Sequence, residues 1–460
     1  MPAPAIAALL LAACAPGGDT AADDTSGGAP YEVPDLPAGG CGGPGWDWAP
    51  LAGMGAIVSA EEDDALHLSA GAVRTLVETL LGGPSPMEIP HGARVWRVRY
   101  VTQDRGAAIE ATMLAALPDV EEPASFPAVM FGHGTTGFTD ACAPSAQGLE
   151  GAAVPVLFAA LGFAVAAPDY LGMAGFGEPS GFLHPYLVPE ATAVASLDAV
   201  RALAALAAEE GTGASPDLGR LVPWGGSEGG FAALWTDRYA GGYAPETSVA
   251  ATVALVPPVD LSDLAGWGLT VPGETSLALA AALVTQHPWY GAAGSLSDVL
   301  TDEAPRYLAS SLPDELAASC SDFPSADGVS TLEEVYRPEV LAAVGSGTWD
   351  AVQPWACYLG MGDLDATAIP RAADAPVLVV LSELDTLVVS DVVRAGLPAL
   401  CDQGYDLEHL ECAGASHTEG AVQSIPYQVE WVRARLAGEP LADPCAITEP
   451  VDCTAFLDAG

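Results

Sequence analysis

Residues 94–102 alternate apolar and polar positions, Asp104, Arg105 and Gly106 give a turn signal, and residues 108–117 alternate again. A period of two on both sides of a short turn predicts an antiparallel β-hairpin. Beyond it the pattern changes. The segment PAVMFGHGTTG holds a short continuous apolar run, residues 127–131, that passes straight into a glycine-rich loop. Such runs suit strands buried on both faces. A helical stretch over 149–161 leads to a second buried strand, FAVAAPDYLG, ending at Asp169. Residues 189–210 carry alanine and leucine stripes at helical spacing, which assigns Asp198 and Arg201 to the wet side. The strand LGRLVPWG, a helix from about 228 to 239 and the strand VAATVALVPP follow. Strand and helix take turns, which predicts the α/β class with a mostly parallel, doubly wound sheet.

Residues 260–366 break this rhythm. They are richer in Pro, Gly, Ser and Trp and contain helical pieces such as 275–285, without a clear buried strand. An inserted, mainly helical cap between two sheet strands fits, as lids over reaction sites are built this way. Its apolar stretch SLALAAALV, residues 276–284, is read as a core helix of the cap in preference to a lipid-facing lid. Regular alternation then resumes with the strand APVLVVLSELD, a helix over 390–400, a strand over 406–412 and a final helix over 421–436. The α/β domain is therefore placed at 41–460, with the cap at about 260–366 and an irregular tail clipped by Cys445 and Cys453.

Charge narrows the classes of partner. The 460 residues include 60 acidic and 14 basic side chains, every basic one an arginine, for a formal net charge of −46. Such a surface repels phosphate backbones and excludes nucleic acid. Residues 1–14 end in Leu11-Ala12-Ala13-Cys14 after a short apolar run, the pattern of a lipoprotein signal whose cysteine becomes lipidated. No positive charge precedes Cys14, which departs from that pattern. Residues 15–40 have the Gly, Ser, Thr and Asp composition of a flexible acidic tether. The expectation is an exported protein, lipid-anchored at a bacterial envelope or secreted, with membrane contact through the anchor alone. In lipoproteins an Asp after the cysteine favours inner-membrane retention, so Ala15 favours the outer membrane. Beyond the leader no apolar run is read as a spanning helix. Eight further cysteines, at 41, 142, 320, 357, 401, 412, 445 and 453, point to disulfides in an oxidising compartment. With no CxxC pair and no histidines clustered near them, no metal or cofactor is expected.

The chemistry centres on Gly225-Gly226-Ser227-Glu228-Gly229, between a predicted strand and a predicted helix. A nucleophile on a sharp strand-to-helix turn needs small neighbours, because the backbone there crowds the adjacent chain. A hydroxyl also needs a base to take its proton and a third group to hold that base. The order nucleophile, acid, base gives Ser227, then Asp385 just past the strand VLVVLS, then His417 in CAGASHTEG beyond the last strand. Glu383 and Asp391 are the alternative acids. Acyl transfer further requires donors for a developing oxyanion, assigned to the backbone N–H groups of Glu228 and Thr135, with Thr136 or Gly137 as substitutes for the latter. His133 is read as a hydrogen-bonding residue of its loop, not as the base.

The blocks GHGTTG, CAPS (142–145), APDYLG (167–172), HPY (184–186), GGSEGG and GASH together resemble the secretory lipase family of fungi and its bacterial relatives, in order over about residues 90–440. The resemblance implies an α/β-hydrolase fold with a helical cap, no cofactor, and activity on acylglycerols or simpler esters. It also implies a disulfide from Cys142 to Cys320, ahead of Cys357. Cys401, Cys412, Cys445 and Cys453 remain disulfide candidates without assigned partners. Two rival functions stay open: a serine peptidase using the same three side chains, and a non-catalytic hydrolase-fold protein displayed for binding. Oligomeric state and acyl-chain preference are not legible.

Overall fold

The alternating segments become a long hairpin in the computed structural model of the chain, which describes residues 41, 48–81, 83–304, 320 and 329–458. The lipidation expected at Cys14 and the tether expected at 15–40 lie outside the described residues. A short β1 (Ile57–Glu62) and α1 (Ala70–Leu81) precede β2 (Gly92–Asp104) and β3 (Ala107–Asp119), which pair in unbroken register. Arg105 and Gly106 both take positive φ, as the favoured two-residue hairpin turn demands. The alternating units follow as β4 (Ala124–Gly132), α2 (Leu149–Ala160), β5 (Ala164–Pro168), α3 (Pro189–Glu210), β6 (Ala214–Gly226), α4 (Glu228–Tyr243) and β7 (Thr252–Leu255). Next come the helices α5 (Leu261–Gly268), α6 (Glu274–Trp289), α7 (Pro338–Gly345) and α8 (Trp355–Gly360). The chain then returns through β8 (Val377–Ser382), α9 (Ser390–Asp402), β9 (Leu407–Cys412), α10 (Glu419–Gln423) and α11 (Ile425–Leu436).

The nine strands form one sheet in the order β1-β2-β3-β5-β4-β6-β7-β8-β9. Pairings from β5 through β9 are parallel, and those among β1, β2, β3 and β5 are antiparallel. The period of two divides each strand between two cores. Along β8, Val377, Val379 and Leu381 join the core under α3 and α4, whereas Leu378 and Val380 join the one under α1, α2 and α11. A strand wanted by both cores has no wet face, which explains its unbroken apolar run.

Two expectations need correction. Asp198 is fully buried, not on the wet side of α3: it accepts hydrogen bonds from Thr102 and Tyr243 and pairs with Arg201. A helix packed on the centre of a sheet has little wet side, and a carboxylate there persists because every oxygen is engaged. By length and composition α3 could also cross a membrane, but most of it is buried in this core. The single helix expected over 421–436 is two, broken at Ser424, because Pro426 has no N–H to continue the ladder and sits instead in the first turn of α11.

Between β7 and β8 the described residues form helices and short turns, without a named strand. Within this stretch α6 is buried along most of its length, so the apolar run at 276–284 is a core helix. The stretch is tied to the sheet domain at several points: Trp289 donates to Asp104, Arg105 donates to the Trp289 carbonyl, and Gln286 donates to that of Tyr186. Disulfides Cys41–Cys357 and Cys142–Cys320 add covalent ties. The second is the pairing that the resemblance implied; the first claims Cys357, the alternative partner, for a cysteine that had none assigned. Cys445 and Cys453 fasten the tail to Cys401 and Cys412, on α9 and β9.

Both crossovers to this helical stretch meet at one place. The Leu364 N–H donates to the Val259 carbonyl, and the Asp363 carboxylate receives the N–H groups of Leu261 and Ser262 at the start of α5. Burial, reinforced by the neighbouring Asp260 carboxylate, pushes the Asp363 carboxyl up to about 7. A folded-state value above that of the unfolded chain, about 4, means that the folded protein binds the proton more tightly. That contribution to stability is complete below pH ~4 and disappears as pH rises through about 7. Asp363→Asn is accordingly expected to flatten the fall in melting temperature between pH 5 and pH 8, and an unchanged slope by scanning calorimetry would refute the assignment.

Candidate active site

The strand–turn–helix around Ser227 forms because three backbones crowd at one spot. Gly132 at the end of β4 lies opposite Gly225 near the end of β6, and the first turn of α4 folds back over both. A Cβ added to Gly132 would come within 2.9 Å of the Gly229 Cα, and one added to Gly229 would overlap the carbonyl of Gly132. Only glycine permits that approach. Between them Ser227 takes φ 57° and ψ −119°, a conformation costly for a residue with a side chain and tolerated where surroundings over-determine it. Its N–H is held by the Leu255 carbonyl at 2.8 Å.

Two strands further on, the chain leaving β8 turns at Asp385. One carboxylate oxygen accepts the N–H groups of Leu387 and Val388, both at 2.9 Å, and the other lies 2.6 Å from Nδ1 of His417. A buried carboxylate can only accept here, so the imidazole carries its proton on Nδ1 and presents Nε2 as a base. That Nε2 is buried and has no hydrogen-bond partner among the described residues. The expected bond from the Ser227 hydroxyl is therefore not formed in this conformation. Such bonds often close only when substrate enters. The His417 loop is fixed from the other side by Glu419, whose carboxylate accepts the N–H and hydroxyl of Ser416 and is held below the usual range by those bonds. Neither alternative acid is near His417 in this way: Glu383 is exposed and accepts the Gly414 N–H, and Asp391 pairs with Arg394 in the first turn of α9.

Thr135 and Glu228 are both buried, and among the described residues their backbone N–H groups donate to no protein acceptor. Glu228 opens α4, where such groups have no partner in the helix. The N–H groups of the substitutes Thr136 and Gly137 likewise donate to no protein acceptor among the described residues, while the Thr136 hydroxyl donates to the Cys142 carbonyl. His133 directs Nδ1 to the Gly134 carbonyl, and burial lowers its affinity for a second proton. It is a loop residue, as read from the sequence.

Behind this loop stand contacts that no local pattern announced. His184 Nε2 lies 2.6 Å from the Glu228 carboxylate, and Tyr186 accepts the Thr135 hydroxyl at 3.1 Å. Tyr170 donates to the His133 carbonyl and stacks between His133 and His184. Asp169 receives the N–H and hydroxyl of Ser145 and the hydroxyl of Thr112. The blocks CAPS, APDYLG and HPY, which in the sequence carried only the resemblance, supply Ser145, Asp169, Tyr170, His184 and Tyr186 to these contacts.

Ser227 lies at the wall of an apolar pocket of about 430 Å³, shared with Leu387 and Val388 beside Asp385 and with Ala278, Leu279 and Ala282 of α6. The Thr275 hydroxyl donates to the Thr386 and Leu387 carbonyls, seating α6 against the Asp385 loop. A larger apolar pocket of about 600 Å³ lies on the opposite side of the sheet, among α1, α2 and α11. It contains no nucleophile or titratable side chain, whereas Ser227 lines the smaller one. Among the described residues no group of three or more His, Cys, Asp or Glu is placed to hold a metal ion.

The model of the secretory lipase family matches residues 147–283. No curated protein matches the chain significantly. Among solved structures, the rice cell wall degrading esterase LipA from Xanthomonas oryzae superposes with a TM-score of 0.68 at 19% identity, over 84% of this chain and 99% of that one. A Legionella pneumophila protein described as a hydrolase gives 0.66 at 17% identity, over 84% and 99%. Candida antarctica lipase A in its closed state gives 0.60 at 15%, over 87% and 86%. At such identities the likeness establishes the fold, an α/β-hydrolase with a mostly parallel sheet, and the family match agrees with the resemblance carried by the sequence blocks.

The glycine contact gives a direct test of the site's construction. Gly229→Ala is expected to lower stability by about 2–3 kcal/mol, since backbone and not a flexible side chain must move. Urea unfolding measures this, and a midpoint within error of the native one would contradict the packing described.

Proposed function

We propose that the chain is an exported serine hydrolase of carboxylic esters. The observation that carries this reading is the oriented imidazole of His417, bound through Nδ1 to Asp385 with Nε2 buried and free, at the same sheet edge as the strained Ser227. The names of the matching family and of the superposing structures, lipase and esterase, support it.

In this reading His417 Nε2 takes the proton of Ser227 as its oxygen attacks the ester carbonyl. The carbonyl π bond becomes an oxyanion, stabilised by the N–H groups of Glu228 and Thr135. Collapse of the oxyanion re-forms the carbonyl and breaks the bond to the alkoxy group, which takes the proton from His417 and departs as an alcohol, leaving the acyl group esterified to Ser227. Water then repeats the sequence on the acyl-Ser227 ester, releasing a carboxylic acid and restoring the hydroxyl. The apolar pocket receives the acyl chain, as its lining offers no polar partner for a peptide backbone beyond Ser227, Tyr186 and Thr275.

Export is supported by the four disulfides, which persist in oxidising compartments. Anchoring through a lipid on Cys14 is a further proposal from sequence alone, with the outer membrane favoured by Ala15.

Three measurements address these proposals. Ser227→Ala should lower kcat on p-nitrophenyl butyrate by at least about a thousandfold while the protein stays folded; activity near the native level would move the nucleophile elsewhere. Ala278→Phe narrows the pocket and should shift the octanoate-to-acetate preference in kcat/KM about tenfold toward acetate. An unaltered ratio would place the acyl chain outside this pocket. Cys14→Ser should release the protein from the membrane fraction of a bacterial host, and retention there would exclude a lipid anchor at that residue.

A further inference from the structure

The HPY block at 184–186 has no role in the reaction just described, yet it is buried beneath it. His184 is 1% exposed and Glu228 2%, and their contact joins residues 44 apart in sequence. His184 Nδ1 lies 2.8 Å from the Leu171 carbonyl, which can only accept, so that nitrogen carries a proton. Its Nε2 then faces the Glu228 carboxylate, and two lone pairs at 2.6 Å would repel. One more proton must sit between them, making the pair net neutral and its bond charge-assisted. Two residues later, Tyr186 accepts the hydroxyl of Thr135.

We propose that the HPY block positions both oxyanion donors at once, His184 by holding Glu228 through its carboxylate and Tyr186 by holding Thr135 through its hydroxyl. The proposal rests on the ester-hydrolase reading and deepens it. The two donors come from different loops, one after β4 and one after β6, and a donor misplaced by a fraction of an ångström loses much of its effect on the transition state. A single short segment that grips both fixes their separation. The same segment is anchored in turn: the His184 N–H donates to the Phe138 carbonyl, and the His184 ring stacks on Tyr170, whose hydroxyl holds the His133 carbonyl in the loop that carries Thr135. His184 and Tyr186 touch no reacting atom, so they are positioning residues. The carboxylate of Glu228 is one as well, separate from the backbone N–H of the same residue.

A clamp on oxyanion donors acts on the transition state more than on the bound ester, which separates it from a purely structural ion pair. The experiment measures kcat and KM on p-nitrophenyl butyrate per active site titrated with a fluorophosphonate, together with the affinity for butylboronic acid, whose serine adduct is tetrahedral. Glu228→Ala is expected to lower kcat about 30-fold with KM changed less than about twofold, and to weaken the boronic acid about 30-fold. Glu228→Gln should recover about tenfold of the lost kcat, because its amide can donate to Nε2 of a neutral ring. His184→Ala should match Glu228→Ala, and the double variant should be no worse than either, since both remove one contact. A Glu228→Ala enzyme with kcat within threefold of native, or losses that multiply in the double variant, would overturn the clamp. Ser227→Ala, whose rate is expressed per mole of folded protein because it has no serine to titrate, keeps the two ideas apart: its inactivity beside a fully active Glu228→Ala defeats the clamp alone, and its activity defeats the underlying reading.

Discussion

The close approach of two backbones, at Gly132 and Gly229, is the constraint around which this molecule is arranged. It follows from the register of β4 and β6, which sets Gly132 opposite Gly225 and brings the loop after β4 level with the turn after β6. Any Cβ on Gly229 would drive the loop and the first turn of α4 apart. With the gap closed, Ser227 takes positive φ. The parallel order of strands β6 to β9 does the rest, carrying Asp385 and His417 to the same edge from two and three strands further along.

The charge balance shapes how the surrounding fold is held. With 14 arginines against 60 carboxyl groups, cations are scarce, and several are spent in buried positions. Arg371 pairs with Asp237, both nearly inaccessible, and Arg105 joins the tip of the β2–β3 hairpin to Trp289 of α6. Losing one partner of such a pair would strand the other in a poor dielectric. Other buried acids are satisfied by hydroxyl and amide donors instead, as at Asp169 and Asp363, and burial then raises their hold on a proton. The disulfides have a complementary part, since they bind the helical stretch and the tail where charge pairing between so many acids could not.

The break of the final helix at Ser424 is local, set by Pro426; elsewhere a non-local partner decided what spacing could not. Asp198 has the spacing of a wet-side residue on α3, but Thr102 and Tyr243 arrive from β2 and the end of α4 to enclose it. Cys357 was an alternative partner for Cys142, and Cys41, 316 residues away, takes it. The apolar stretch of α6 has the same composition whether it faces lipid or a core, and its burial against the sheet domain selects the core.

Period and punctuation along the chain determined the strand and helix order, the two-faced sheet, and the nucleophile turn with its small neighbours, because these depend on residues within a few positions of one another. The candidate acid and base were also legible, since a parallel sheet returns every strand end to one edge and the loops there are short. The partners of His184, Glu228 and Tyr186, and of every paired cysteine but Cys142 and Cys320, were decided only by the tertiary structure. Each joins segments 41 to 316 residues apart, as at Cys412–Cys453 and Cys41–Cys357, and no local spacing encodes which distant atoms burial will bring within reach.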